Sequence, residues 1–253
     1  MKTREKRRRY RRWVPTLIAV LAIVAVIPGI FKLGVTVYKS VSRQEAEDTS
    51  WKEACPEELL ILYEKNPDAR SFVKHYTEKK GQTFPIDLSE YQDCDTVPLL
   101  MQWDERWGYA NYAGSLFGLS GCGPTCLSMV AIYLKGDTTM DPLWMAAFST
   151  EHGFSCEEGT AWSFMADGAA QLGLEAVELP LQEDRVVANL EAGNPIICIM
   201  GPGDFTTTGH FIVLTGYHDG KITVNDPNSY ANSEKTWTYA QLEGQIQNLW
   251  AYR

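Results

Sequence analysis

The chain has 253 residues, 45% hydrophobic and 22% charged, a globular balance that excludes disordered and collagen-like classes and allows one sizeable core rather than two full domains. Its net charge of −9 is uneven: residues 1–12 hold eight Lys or Arg and one acid, leaving −16 on the remainder, and an acidic body of this kind does not suit nucleic-acid binding. Six cysteines (55, 94, 122, 126, 156 and 198) are too few for a disulfide scaffold, and neither a C-x-x-C pair nor a His/Cys cluster has zinc spacing, so no metal is expected.

The basic stub, 1–12, leads into Trp13–Phe31, a run of 19 residues without a charge. At about 1.5 Å per residue this nearly matches a hydrocarbon core of about 30 Å, so 13–33 reads as a transmembrane anchor. Arg11 and Arg12 flank it more heavily than Lys32, Lys39 and Arg43 do on the other side. The heavier basic side stays in the cytoplasm, which puts the C-terminal body outside the cell. A cleaved secretory signal is the alternative, without a convincing small-x-small site after the run. Both readings export the body.

Residues 34–54 are a polar juxtamembrane linker. Residues 55–96 form a small helical prelude: Pro56–Lys65, with Pro56 and Glu57 in the first turn, and Asp68–Lys79, stopped by Gly81. Cys55 and Cys94 bracket this prelude, as a disulfide or as two free thiols; spacing does not decide.

The main domain is 97–253. Val97–Trp103 reads as a short apolar strand. Cys122–Lys135 is apolar nearly all round, the mark of a helix buried on every side. Pro142–Glu151, Ala161–Leu172 and Gln182–Glu191 are further helices, the last stopped by Gly193-Asn194-Pro195. Strands follow at Ile196–Met200, Phe211–Tyr217 and Lys221–Asn225, and Tyr239–Trp250 reads as a final helix. Helices first and antiparallel strands later define an α+β order.

Cys122 opens the buried helix within Ser120-Gly121-Cys122-Gly123-Pro124-Thr125-Cys126. Helix N-termini favour the thiolate, and the flanking glycines let a substrate backbone approach. A cysteine in such a turn is, taken alone, more often inert than reactive. Cys126 lies one turn deeper and is expected to be buried. Of four histidines, His210 alone stands between a glycine-rich loop (Gly201–Gly209) and an apolar strand.

A three-residue hairpin loop at His218-Asp219-Gly220 would pair Tyr217 with Lys221. It gathers Ile212, Leu214, Ile222 and Val224 on one face, with His210 and Asp226 at its open end, diagonal neighbours. A two-residue Asp219-Gly220 turn would put His210 and Asp226 on opposite faces and set apolar against polar sides. Burial therefore favours the register that joins them. A thiol, an imidazole and an orienting carboxylate form a nucleophile–base–acid set. Gln102 and the Cys122 amide are the candidate oxyanion donors. Asp204, Phe205, Thr206, Trp103, Trp107 and Trp162 are either cleft lining or core packing.

The stretches Val97-Pro98-Leu99-Leu100-Met101-Gln102-Trp103-Asp104, Gly121-Cys122-Gly123-Pro124-Thr125-Cys126, Gly209-His210-Phe211-Ile212-Val213-Leu214 and Val224-Asn225-Asp226-Pro227 together resemble the exported, papain-like cysteine peptidases related to the double-glycine leader peptidases of bacteriocin exporters. The resemblance implies Cys122 as nucleophile, His210 as base, Asp226 as orienting acid and Gln102 as oxyanion donor. It also implies a papain-like α+β fold, with the Cys helix packed on an antiparallel sheet, and no cofactor. The gap between Gln102 and Cys122 is longer than in the exporter peptidases, and the 253 residues carry no transporter module, so cleavage after a double glycine is not implied. The expected protein is a membrane-anchored, outward-facing cysteine peptidase acting on peptides or proteins. A peptidoglycan amidase or endopeptidase and a catalytically silent peptide-binding module of the same fold are the rival readings.

Overall fold

The computed structural model describes Lys39 and residues 51–157 and 159–253. The stub, the expected anchor at 13–33 and most of the expected 34–54 linker lie outside them. No helix among the described residues is long and apolar enough to cross a membrane. Cys55–Arg253 form one compact unit.

The upstream segment begins with the helix Glu57–Lys65, carrying Glu57 and Glu58 in its first turn and Lys65 in its last, as the helix dipole prefers. The second expected helix is broken into a 3-10 turn, Pro67–Ala69, and two short helices, Arg70–Lys74 and Tyr76–Lys79. Val97–Trp103 is not a strand. Its backbone bonds to side chains and a loop instead: Asn225 Nδ2 donates to the Val97 and Pro98 carbonyls, Leu100 N–H to Met129 Sδ and Gln102 N–H to Pro227 O. With these partners the segment lies buried without a sheet neighbour.

Between Gln102 and Cys122 the chain makes a small hairpin, β1 (Asn111–Tyr112) and β2 (Ser115–Leu116), turned at Ala113 and Gly114, both with positive φ. The helix Cys122–Lys135 follows, buried from Gly123 to Ile132 and ended by Gly136 in the left-handed conformation. Asp141 caps the helix Pro142–Glu151 by accepting from the Leu143 and Trp144 amides. A second hairpin, β3 (Ser155–Cys156) and β4 (Gly159–Thr160), packs on the Cys122 helix: a Cβ on Gly123 would lie 2.6 Å from Thr160 Oγ1. The expected helix Ala161–Leu172 is instead a 3-10 turn, Trp162–Met165, and a short helix, Asp167–Gln171. The break seats the Phe164 ring where a Cβ on Gly168 would lie 2.4 Å from it.

The sheet has six antiparallel strands in the order β5-β10-β6-β7-β8-β9: β5 (Ala176–Glu178), β6 (Ile196–Met200), β7 (His210–His218), β8 (Lys221–Asn225), β9 (Thr236–Trp237) and β10 (Ile246–Tyr252). One face, with Ile197, Ile199, Phe211 and Val213, joins the core of the Cys122 helix. The other, with Ile196, Cys198, Ile212 and Leu214, packs against Val186 and Leu190 of the helix Glu183–Glu191. The fold is thus α+β, helices on both faces of an antiparallel sheet. The expected C-terminal helix shrinks to Tyr239–Leu242, and the remainder becomes β10, inserted between β5 and β6. Buried on both faces, β10 lacks the alternation that marks a half-exposed strand.

The β7–β8 hairpin corrects the expected turn while keeping its consequence. His218 pairs with Lys221, so the loop is the two-residue Asp219-Gly220 turn, with φ of +50° and +74°. A bulge between Leu214 and Gly216 then shifts the register by one, so Leu214 pairs with Val224 and Val213 with Asn225. Near the turn the expected pairing fails; at the open end it holds.

Candidate active site

Cys122 sits at the start of its helix, where Gly121 gives no side-chain cap. Gly121, Gly123 and the hairpin β3–β4 crowd its flanks, yet Cys122 stays partly exposed. His210 begins β7 opposite Met200, and Asp226 follows the last residue of β8. Both are buried, at 6% and 1% exposure.

The three groups meet. His210 Nε2 lies 2.8 Å from Asp226 Oδ1, and the Cys122 thiol and the His210 ring are close enough to shift each other's ionisation. With Nε2 held by the carboxylate, Nδ1 is the ring nitrogen left to meet the sulfur. Burial pushes the Cys122 thiol up, but His210 and the amides of Phe211 and Gly123 outweigh it, so the thiol sits below its usual value. Burial pushes His210 down, and Asp226, with help from Cys122, raises it to about 10. Burial likewise opposes ionisation of Asp226, and His210 overcomes it, holding the carboxyl below its usual range. The shifts favour a thiolate, an imidazolium and a carboxylate in series over their neutral forms, an arrangement able to attack a carbonyl carbon and return a proton to a leaving group.

Asp226 is held on every side. Its Oδ2 accepts from Asn232 Nδ2 at 2.9 Å, its Oδ1 from Asn228 N–H at 2.9 Å, and its own N–H donates to Ser233 Oγ at 2.9 Å. The Tyr230–Ser233 helix, capped by Ser229, carries Asn232. No feature of the sequence marks Asn232, since a run of small polar residues after Pro227 reads as a turn.

Gln102 comes to the same place. The β1–β2 hairpin folds the intervening chain back, with Gly118 N–H donating to Gly108 O at 2.9 Å, and Gln102 Nε2 donates to Gly118 O at 2.9 Å, just upstream of Cys122. Its backbone N–H donates to Pro227 O at 2.8 Å, next to Asp226. Gln102 is 4% exposed, and its Oε1 has no partner among the described residues. Turning the amide over would set two carbonyl oxygens face to face, so the N–H edge is fixed, with one N–H beyond the Gly118 bond left to offer.

Cys126 is fully buried, and burial, with Cys122 next, pushes its thiol well above the usual value. Cys55 and Cys94 are free thiols, the former against Val73 O. Trp107, Trp103 and Phe205 are core residues, Phe205 lying 4.7 Å from the Trp237 ring, while Trp162 is 45% exposed. Asp204 is taken up by Gln245, accepting from Nε2 at 2.8 Å. Among the described residues no three His, Cys, Asp or Glu side chains cluster as metal ligands.

The sequence profile of the Peptidase_C39 like family matches residues 94–253. Two solved structures are similar to the chain. One is the peptidase domain of Streptococcus ComA, a bi-functional ABC transporter involved in a quorum-sensing pathway, at 17% identity and a TM-score of 0.41, covering 52% of this chain and 89% of that one. The other is described as a C39-like peptidase from Bacillus anthracis, at 17% identity and a TM-score of 0.39, covering 66% of this chain and 96% of that one. No curated protein is significantly similar to the chain in sequence.

Proposed function

The chain belongs to the Peptidase_C39 like family, a cysteine-peptidase type, and on that premise we propose that it hydrolyses peptide bonds with Cys122 as nucleophile, His210 as acid–base and Asp226 as the group that orients His210. The observation that carries this reading is the 2.8 Å bond between His210 and buried Asp226, on a ring whose ionisation is coupled to the partly exposed Cys122. The Cys122 thiolate attacks the peptide carbonyl, the His210 imidazolium gives its proton to the leaving amine, and water then frees the acyl group with His210 as base. Gln102 Nε2 and the Cys122 amide hold the oxyanion.

We further propose that 13–33 anchors the protein in the cell membrane with the stub inside and the catalytic unit outside, supported by the uncharged run and its basic flank. Substrates are then extracellular peptides or proteins.

Digestion of a peptide library by the full chain in detergent tests the chemistry. Cleavage is expected, abolished in Cys122→Ala and reduced about 10²- to 10³-fold in kcat with little change in KM in Gln102→Ala, as for loss of one oxyanion donor. Activity on purified peptidoglycan without peptide cleavage would replace this reading with that of a wall hydrolase. Persistence of cleavage in Cys122→Ala would end it.

A further inference from the structure

The family match begins at residue 94, yet residues upstream of it reach the loop that carries Asp226. We propose that this upstream helical segment is part of the positioning apparatus of the active site, with Asn66 acting through Asn228 to fix the Asp226 carboxylate against His210. The inference rests on the peptidase reading and adds to it a positioning residue from outside the matched region.

Asn66 ends the helix Glu57–Lys65 and is 9% exposed. Its Oδ1 accepts from Asp68 N–H at 3.0 Å, capping the 3-10 turn. That bond leaves Nδ2 pointing at the acid loop, where it donates to Asn228 O at 2.5 Å and to Asn228 Oδ1 at 3.2 Å. Asn228 O also accepts from Trp103 Nε1 at 3.1 Å, and Asn228 N–H donates to Asp226 Oδ1, the oxygen that His210 Nε2 holds. Asp68 Oδ2 accepts from Tyr230 N–H at 3.2 Å, so two upstream side chains grip the loop just beyond Asp226.

The same segment meets the arm that carries Cys122. The Phe72 ring lies where a Cβ on Gly118 would be 2.6 Å away and one on Gly108 2.7 Å away. Phe72 O accepts from Tyr109 Oη at 2.8 Å. Gly118 O in turn orients Gln102. One segment thus braces both sides of the site. A purely space-filling pad needs apolar contacts only; a buried amide with its oxygen on a cap and its nitrogen on the acid loop sets geometry, because burying it without partners is costly.

The charged groups facing His210 are Asp226, after β8, and Cys122, at the helix start. Asp226 faces His210 and the neutral Asn232. Asp68 faces Tyr230, on the outer side of the loop.

Asn66→Ser separates the two roles of Asn66. Serine caps about as well as asparagine but is too short to reach Asn228. His75→Ala is the control: His75 is in the same segment but bonds Glu105, at 2.7 Å from Nδ1, and does not touch Asn228. In the full chain, two quantities are followed against pH: iodoacetamide reaction at Cys122, and the His210 imidazole by NMR. In Asn66→Ser, His210 titration and the alkaline limb of alkylation should fall by about half a pH unit, the share of one ordinary hydrogen bond. His75→Ala should leave both unchanged. Unmoved curves in folded Asn66→Ser overturn the inference, as does an equal shift in His75→Ala. Should Asn66→Ser not fold, Asp68→Ala, which frees the Tyr230 amide, must show the same downward shift, and its absence overturns the inference too. A wild type whose Cys122 reacts no faster than a free thiol and whose His210 titrates at its ordinary value sinks the peptidase reading and this inference together. A fast wild type with a raised His210 and an unmoved variant sinks the inference alone.

Discussion

Cys122 is a partly exposed residue while the two groups that set its charge are buried, and that division governs its pH behaviour. The thiol lies below 9.0 chiefly because His210 overcomes burial, and His210 lies near 10, against an ordinary 6.5, because Asp226 overcomes burial. The reactive ion pair therefore forms as pH rises through the lowered thiol value and is lost as pH passes about 10. In Asp226→Asn the carboxylate that chiefly opposes burial is gone: His210 falls from about 10 and the thiol rises. Alkylation at pH 7 should drop about tenfold or more, and the profile should become that of a buried thiol, climbing only at alkaline pH. Stability moves in the same variant. The depressed Asp226 contributes stability above its ordinary 3.8 that is lost as pH falls through its lower native value. The raised His210 contributes fully below 6.5 and loses its contribution as pH rises through about 10. Asp226→Asn should cost about 3 kcal/mol at neutral pH in chemical denaturation and flatten the dependence on both sides. An unchanged alkylation profile would show that Asp226 does not govern His210. The pairing of His210 with Asp226 was legible because the apolar face of the hairpin carries both at its open end, and Cys122 drew attention by opening a buried helix. Asn232, Asn228 and Asn66 were not, since an asparagine that holds another side chain looks the same in sequence as one that makes a turn.

Among the elements, the β7–β8 hairpin shows how two valid rules yield a device that neither predicts. Asp219-Gly220 is the chemistry of a two-residue turn, and that turn forms. The apolar even-numbered residues require the opposite register, and they obtain it beyond the bulge before Gly216. The choice of turn was wrong and the His210–Asp226 juxtaposition right, because burial of Ile212, Leu214, Ile222 and Val224 decides the register where it matters. Gly220 then belongs to the turn and not to the site. A Cβ there meets nothing within 4 Å, so Gly220→Ala suffers only from its φ of +74°. It should cost about 1 kcal/mol and lower Tm by about 2–4 °C, with Cys122 alkylation unchanged. A loss of Cys122 reactivity in that variant would mean that the turn, not the buried face, sets the register at His210. The same physics explains the strand mistaken for a helix. Centrally placed β10 has Leu249, Trp250, Ala251 and Tyr252 all buried, so neither period two nor a polar face announces it. Gln102 was hard to place for another reason, since its distance to Cys122 collapses only through the β1–β2 hairpin, whose strands are two residues each.

Across the whole molecule, charge separates sharply between the cationic first twelve residues and an acidic remainder at −16, and the uncharged run lies between them. Such a distribution orients a chain in a membrane without contributing to catalysis. The structure supplies a probe of that orientation, because Cys156, on the β3–β4 hairpin, is exposed whereas Cys126 and Cys198 are buried. With the partly exposed Cys55, Cys94 and Cys122 replaced (Cys55→Ser, Cys94→Ser, Cys122→Ala), a membrane-impermeant maleimide should label intact cells, and Cys156→Ser should remove most of that label. The labelled protein should remain with the membranes after an alkaline carbonate wash. Release into the medium would mean that the apolar run is a cleaved signal, which leaves the outward placement intact. Labelling only after lysis would put the catalytic unit in the cytoplasm, and the substrates would then have to be sought there, because a peptidase can meet only the peptides on its own side of the bilayer.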